Sequence, residues 1–215
     1  MKTDLTKLFP TYYKAGTSPE LVELGEANFL SIAGKGDPSS EFFASRVQAL
    51  YTVAYAVKFY YKKEGSDFTI AKLEGLWWFD TKKFGEHFTI SEVPQLIPRQ
   101  EWHWELLLRL PDFVSSDQVK KIRMEVFAKK KMLDITEVEY VTMKEGKAVQ
   151  MLHEGSFANE PASLEKMQQF MQDHQLQKTG MHHEIYLSDF RKTAPEKLKT
   201  ILREPVRVVK QKVLV

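Results

Sequence analysis

The sequence predicts an α+β fold in which duplicated βαββ modules with pseudo-twofold symmetry surround a central ligand cleft. Three observations carry that prediction. A strand–helix–strand–strand pattern occurs over about residues 26–131 and again over about residues 135–212. In each unit the first strand ends at a glycine, Gly36 and then Gly155, just before a helical segment. Finally, Gly36 and Gly155 lie 119 positions apart, whereas Glu74 and Glu184 lie 110 apart, so the second helix should be about nine residues shorter. Two such units side by side leave a groove along their axis, a natural place for a ligand. The expected plan is a lead-in over 1–25 and a single domain over 26–215.

Each element follows from local chemistry. Residues 1–25 carry turn-forming residues in "FPTYYKAGTSPE". "ANFLSIAGKG" reads as a strand ending in glycines. In "DPSSEFF", Asp37 can cap a helix with Pro38 in its first position. Phe43, Val47, Leu50, Ala54, Val57 and Tyr61 continue that helix at 3.6-residue spacing to about Lys63, and "GSD" at 65–67 breaks it. "FTIAKLEGLWWFD" is the next strand, a polar loop with Pro94 and Pro98 follows, and "EWHWELLLRL" is the third strand. A helix at about 116–130 leads to the second unit. There "KEGKAVQMLHEGSF" contains a strand ending near Gly155, and "NEPASLEKMQQFMQDHQL" is a helix with Leu164, Met167, Phe170, Met171 and His174 on one face. "MHHEIYLSDF" is a strand, "KTAPEKLKTILRE" a short helix and "PVRVVK" a closing strand.

Composition narrows the function. The chain is 43% apolar and 28% charged, as an ordinary globular protein is. It has no cysteine, which excludes disulfides and thiolate chemistry and suits a reducing cytoplasm. The N-terminus lacks the apolar run of a signal peptide, and no 18-residue apolar stretch occurs, so no membrane partner is expected. Residues 191–215 hold eight Lys/Arg against Glu196 and Glu204. Without aromatic interleaving or a recognition motif, that stretch does not make nucleic acid an expected partner. The sequence names no protein partner. All four tryptophans fall between residues 77 and 104, with Phe79, Phe84 and Phe88 among them. Such density suits a concave site for a small aromatic ligand.

Strand alternation orders the candidate site residues. Glu184 and Tyr186 share a face with His182 and Ser188, while His183, Ile185 and Leu187 take the other. Packing the apolar face against helices would leave the Glu–Tyr face open to a ligand. A carboxylate there is desolvated, which suits it to general acid or base work. Glu74, the corresponding residue of the first unit, shares its face with Leu76 and Trp78, and Leu73, Trp77 and Phe79 take the other. A bulge at Gly75 would exchange the two tryptophans. Trp102 and Trp104 share an apolar face with Leu106 and Leu108, which periodicity assigns to the core, yet the start of a strand can emerge into a cleft. His182 and His183 point to opposite faces, and neither His87 nor His103 has a partner at chelating spacing. No metal and no other cofactor is therefore expected. No nucleophile elbow occurs, and "GKG" at 34–36 is too short for a phosphate loop.

The run Glu184-Ile185-Tyr186-Leu187-Ser188-Asp189, then Arg191, Thr193, Pro195-Glu196-Lys197-Leu198 and "ILREPV", resembles the C-terminal signature of GyrI-like small-molecule-binding proteins. The resemblance covers about residues 20–210. No helix-turn-helix region precedes it, so the chain resembles a free-standing member rather than a transcription factor's effector domain. The resemblance implies paired βαββ modules around a cleft that takes amphipathic or cationic aromatic compounds on a buried carboxylate and stacked rings. "EGLWWFD" and "EWHWELLLRL" are most similar to a Trp-rich branch that hydrolyses the cyclopropane ring of cyclopropanoid DNA-alkylating compounds in an aromatic cage, a form of xenobiotic resistance. That likeness implies Glu184 as the water-activating carboxylate and Tyr186 or a histidine as donor to the developing charge. Glu74, Trp77, Trp78, Trp102, Trp104 and His182 would surround the ligand. A non-catalytic binder that sequesters aromatic cations is the alternative, and a protein that contacts a larger partner is a third.

Overall fold

The computed structural model describes residues 2–85 and 88–209, so His87 lies outside them. The chain begins with two short helices, α1 (Leu5–Leu8) and α2 (Pro10–Tyr13). The first unit comprises β1 (Glu20–Lys35), α3 (Glu41–Lys63), β2 (Leu73–Trp78) and β3 (His103–Leu110), with α4 (Thr81–Phe84) and α5 (Val93–Leu96) between β2 and β3. The connecting helix α6 (Ser116–Lys130) leads to β4 (Glu139–Glu154), α7 (Glu160–Asp173), β5 (Leu176–Lys178), β6 (His182–Tyr186) and β7 (Lys199–Val208).

Seven antiparallel strands form one sheet in the order β4-β1-β3-β2-β6-β7-β5, and β4 also pairs with β7. That pairing closes six strands into a ring with β5 attached to the end of β7. The two 16-residue strands make closure possible, because each serves two neighbours. β1 pairs through residues 20–31 with β4 and through residues 28–35 with β3. Closure leaves few unpaired edge groups.

The ring has an inner and an outer face. On the outside, Phe43, Val47, Leu50, Ala54 and Val57 of α3 pack on Ile32, Trp104, Leu106 and Leu108. Leu164, Met167 and Met171 of α7 pack on Val149, Met151, Leu202 and Val206. Each fully buried side chain of this size contributes roughly 1.5–3 kcal/mol. On the inside, Leu5, Tyr12 and Tyr13 pack with Phe29, Leu76, Leu107, Ile185 and Ile201. The N-terminal segment is therefore part of the core rather than a lead-in, because "FPTYY" supplies the apolar cover that the inner face needs.

The duplication shows in backbone detail. Gly36 and Gly155 adopt φ of 122° and 127°, a conformation that side-chain-bearing residues rarely take. α3 has 23 residues and α7 has 14, the difference of nine expected from the spacing of the repeats. Three boundaries differ from expectation. Ser40, not Asp37, caps α3 by accepting from the Phe43 N–H at 3.2 Å, while Asp37 accepts from Ser39 N–H in the preceding turn. β1 and β4 begin at Glu20 and Glu139, earlier than their apolar runs suggest, because their first halves pair with each other. Residues 199–204 are strand, not helix: Arg203 and Glu204 are buried in ion pairs beside β-branched Thr200 and Ile201. Among the described residues no helix is long and apolar enough to cross a membrane.

Candidate functional site

The register of β2 on β6 decides which residues meet. Glu184 stands opposite Gly75, and Ile185 stands opposite Glu74. Directly opposed residues share a face, so Glu184 and Glu74 lie on opposite faces of the sheet. Pairing of β2 with β3 is unbroken from Leu73 to Trp78, so there is no bulge at Gly75. Trp77 thus shares the face of Glu184, and Trp78 shares the face of Glu74. A two-fold axis normal to the sheet preserves faces and brings Gly75, not Glu74, onto Glu184. The expected correspondence was displaced by one residue, which in a strand reverses every side chain. The face of Glu184 is the outer, helix-covered one, contrary to the expectation of an open face.

On that outer face the Glu184 side chain is 12% exposed. His182 Nε2 lies 3.4 Å from it, and His182 Nδ1 donates to Glu204 at 2.7 Å. Lys178 Nζ completes the row, 2.7 Å from Glu204. Burial pushes His182 down, but Glu204 and Glu184 outweigh it and hold the imidazole up at about 10, a cation at neutral pH. Burial likewise opposes the charge of Glu204, yet Lys178 and His182 keep that carboxyl below its ordinary range. Tyr186 accepts a hydrogen bond from Trp77 Nε1 at 3.1 Å and lies beside Glu184. Burial, then the charge of Glu184, push the phenol far above its ordinary value, so it stays neutral.

Aromatic rings flank this row. Trp77 stacks on Phe43 at 6.1 Å and meets Trp102 edge-on at 5.8 Å. Tyr186 meets Phe157 at 5.9 Å and Phe190 at 5.5 Å. The two groups join at the Trp77–Tyr186 hydrogen bond, directly over Gly75. A Cβ there would lie 2.8 Å from Trp77 Nε1 and 3.0 Å from the Tyr186 hydroxyl, so only glycine leaves room for both. Ile90, in the β2–β3 connection, packs against the α7 cluster, so that connection reaches across to the second unit.

The remaining predicted residues divide cleanly. Trp102 is half-buried beside Trp77, its indole N–H donating to Ile97 O at 3.0 Å. Trp104 is 0% exposed and belongs to the core, bound to Gly36 O at 3.1 Å. Trp78 stacks on His103 on the opposite face. Glu74 is wholly buried on the inner face, where it accepts from Tyr12 at 2.6 Å, Tyr13 at 3.3 Å and His183 Nε2 at 3.0 Å. His183 Nδ1 donates in turn to Glu145, which also accepts from Arg203. Burial lowers His183, but Glu145 and Glu74 hold it up at about 9. Glu74, Trp78 and Trp104 are therefore not among the residues around Glu184. Sequence reasoning missed Phe43, Phe157, Phe190 and Glu160. Glu160 sits in "NEP" at the head of α7, where an acidic residue reads as ordinary helix-end chemistry.

Two cavities lie away from this cluster: one of about 410 Å³ beside Pro10, Lys14 and Lys72, and one of about 200 Å³ between Arg123 and Tyr140. Among the described residues, no group of three or more His, Asp or Glu side chains is placed to hold a metal ion.

A model of the GyrI-like small molecule binding domain matches residues 111–207, a span that includes Glu160, Glu184 and Tyr186. A solved, uncharacterized conserved protein from Listeria innocua is 39% identical with a TM-score of 0.85, the match covering 96% of this chain and 100% of that one. The chain belongs to the GyrI-like family. Another Listeria innocua protein, described as a hydrolase, is 37% identical to this GyrI-like chain, with a TM-score of 0.83 and the same coverage. The C-terminal domain of EcmrR shares only the fold, at 13% identity and a TM-score of 0.57 over 89% of this chain and 98% of that one. No curated protein matches the chain.

Proposed function

We propose that this GyrI-like protein takes planar aromatic compounds against the Trp77–Phe43–Trp102 rings and hydrolyses them with a water activated by Glu184. The single observation that carries this reading is the setting of Glu184. It is a nearly buried carboxylate, beside Tyr186 and 3.4 Å from a cationic His182, between two groups of aromatic rings. Its similarity to a Listeria innocua hydrolase supports turnover over simple binding. The substrate class we favour is the cyclopropanoids, electrophiles whose strained ring is conjugated to a carbonyl. Stacking excludes bulk water, and Glu184 takes a proton from the one water that remains as it attacks the ring carbon. The setting would be cytoplasmic and the role protection against a xenobiotic.

Incubation with a cyclopropanoid, followed by mass spectrometry, tests this. A ring-opened product heavier by one water is expected, with turnover lost in Glu184→Gln. Unchanged compound under wild-type protein would overturn the reading. A pure binder of aromatic cations is the second reading, favoured by the negative charge facing Trp77. Quenching of Trp fluorescence by a cationic dye, with no chemical change in any compound tried, would select it.

A further inference from the structure

The hydrolase reading needs a proton donor, and the residues expected to supply it are occupied. Tyr186 keeps its O–H beside Glu184, where burial and that carboxylate hold the proton on the phenol. His182 has two N–H groups, directed at Glu204 and Glu184. One acid nearby is uncommitted. Glu160 opens α7, three residues after Phe157, whose ring packs on Tyr186. It is 6% exposed, and its Oε1 has no hydrogen-bond partner. We propose that Glu160 is the general acid of this site, handing its proton to the substrate oxygen that gains charge as the ring opens.

Competing effects decide its protonation. The N-terminus of a helix favours an ionised carboxylate only weakly. Burying an unpaired ionised group is far more costly, so burial wins. Burial first, and then the charge of Glu184, raise Glu160 well above the carboxylate range, while His182 opposes them only in part. The charged and titratable groups that face it are Glu184, His182 and Tyr186.

In the step itself, water oxygen bonds to the cyclopropane methylene carbon and its proton passes to Glu184. The ring C–C bond breaks, and its electron pair moves through the conjugated system to the carbonyl oxygen. That oxygen takes the proton of Glu160 and becomes an enol or phenol hydroxyl. The product has gained one water, and a proton returning from Glu184 to Glu160 resets the site.

This role rests on the hydrolase reading, and two measurements separate their failures. Infrared difference spectra of the full chain at neutral pH should contain a protonated-carboxyl band that is absent in Glu160→Gln. An ionised Glu160 would overturn the proposal. With a spirocyclopropyl cyclohexadienone as probe, Glu160→Gln should lower kcat about 100-fold or more, leave KM little changed and abolish the alkaline limb of the pH profile. Gln keeps the shape and neutrality of the acid but has no proton to give, and Glu160→Asp should recover part of the rate. Undiminished turnover in Glu160→Gln refutes the acid role alone. Absence of turnover in the wild type refutes the hydrolase reading and this role with it.

Discussion

Substituting Gly75 by alanine tests whether the floor of the site is as tight as its geometry. The backbone there is ordinary β, so alanine brings no torsional strain, and the effect isolates one methyl group. That methyl would sit 2.8 Å from Trp77 Nε1 and 3.0 Å from the Tyr186 hydroxyl, against an ordinary contact of 3.4 Å or more. Trp77 must therefore retreat by about 0.6 Å, and Phe43 stacks on it and resists. Overpacking of this kind costs about 1–3 kcal/mol, and the Trp77–Tyr186 hydrogen bond adds about 1 kcal/mol if it is lost. Replacing a strand glycine returns about 0.5–1 kcal/mol of backbone entropy. The net expectation is a loss of about 1–3 kcal/mol, or about 2–10 °C in Tm for a chain of this size. Urea unfolding followed by Trp fluorescence reads the stability. Turnover or ligand quenching reads the site, where a displaced Tyr186 should weaken function at least tenfold by loosening Glu184. A Gly75→Ala variant with the wild-type midpoint and wild-type function would refute the close approach.

Gly34→Ala should be more damaging to stability, about 3 kcal/mol, since its Cβ would lie 2.2 Å from the ring of wholly buried Trp104. An unchanged urea midpoint would contradict that packing. Glu145→Gln leaves Arg203 and His183 without their shared anion and should cost about 3–5 kcal/mol at pH 7. Burial opposes the charge of Glu145, but His183 and Arg203 hold it at about 2. Its contribution is thus present above pH 4.5 and lost as pH falls through about 2, where mutant and wild type should converge. His182 shows the opposite sign: raised from 6.5 to about 10, it stabilises fully below pH 6.5 and progressively less as pH rises through 10. The stability gap between wild type and His182→Gln should narrow over that window, and a gap that widens would refute the cationic assignment.

The parts of the fold that local periodicity governs were legible. Val47, Leu50 and Ala54 on one helix, and Leu164, Met167 and Met171 on the other, are buried where their spacing places them. The repeat was legible through Gly36 and Gly155, because a positive φ at a strand end is a local demand. Ring closure was not, since it rests on β4 pairing with β7 about 50 residues away, a contact that no local pattern encodes. The candidate site was legible in its strand but not in its face. Glu184 and Tyr186 share a face as alternation required, but alternation leaves open which face the helices cover. That ambiguity put Glu74 and both Trp77 and Trp78 among the expected ligand residues, whereas Glu74 and Trp78 share the inner face and only Trp77 shares the face of Glu184. Glu160 escaped because its significance lies in what surrounds it, and an acidic residue at a helix start is unremarkable by type.

The two faces of the β2–β6 pair hold their ionisable groups in different ways. On the inner face Glu74, His183, Glu145 and Arg203 form a chain of opposite charges with matched donors and acceptors, and Tyr12 and Tyr13 supply the rest. Such a network fixes the N-terminal segment in the ring, because Arg203 also donates to the backbone carbonyl of Tyr12. It has no free valence, and displacing any member would leave a buried charge unpaired. The outer face holds a similar number of ionisable groups but is arranged otherwise. Lys178, Glu204 and His182 pair in series, and the series ends at Glu184, beyond which Glu160 retains an unpartnered oxygen. The row of paired charges stops at two carboxyl groups, with the rings of Trp77, Trp102 and Phe190 close by. The pairing within the row, not composition, separates the face that holds the fold together from the face that carries an unpartnered carboxyl oxygen.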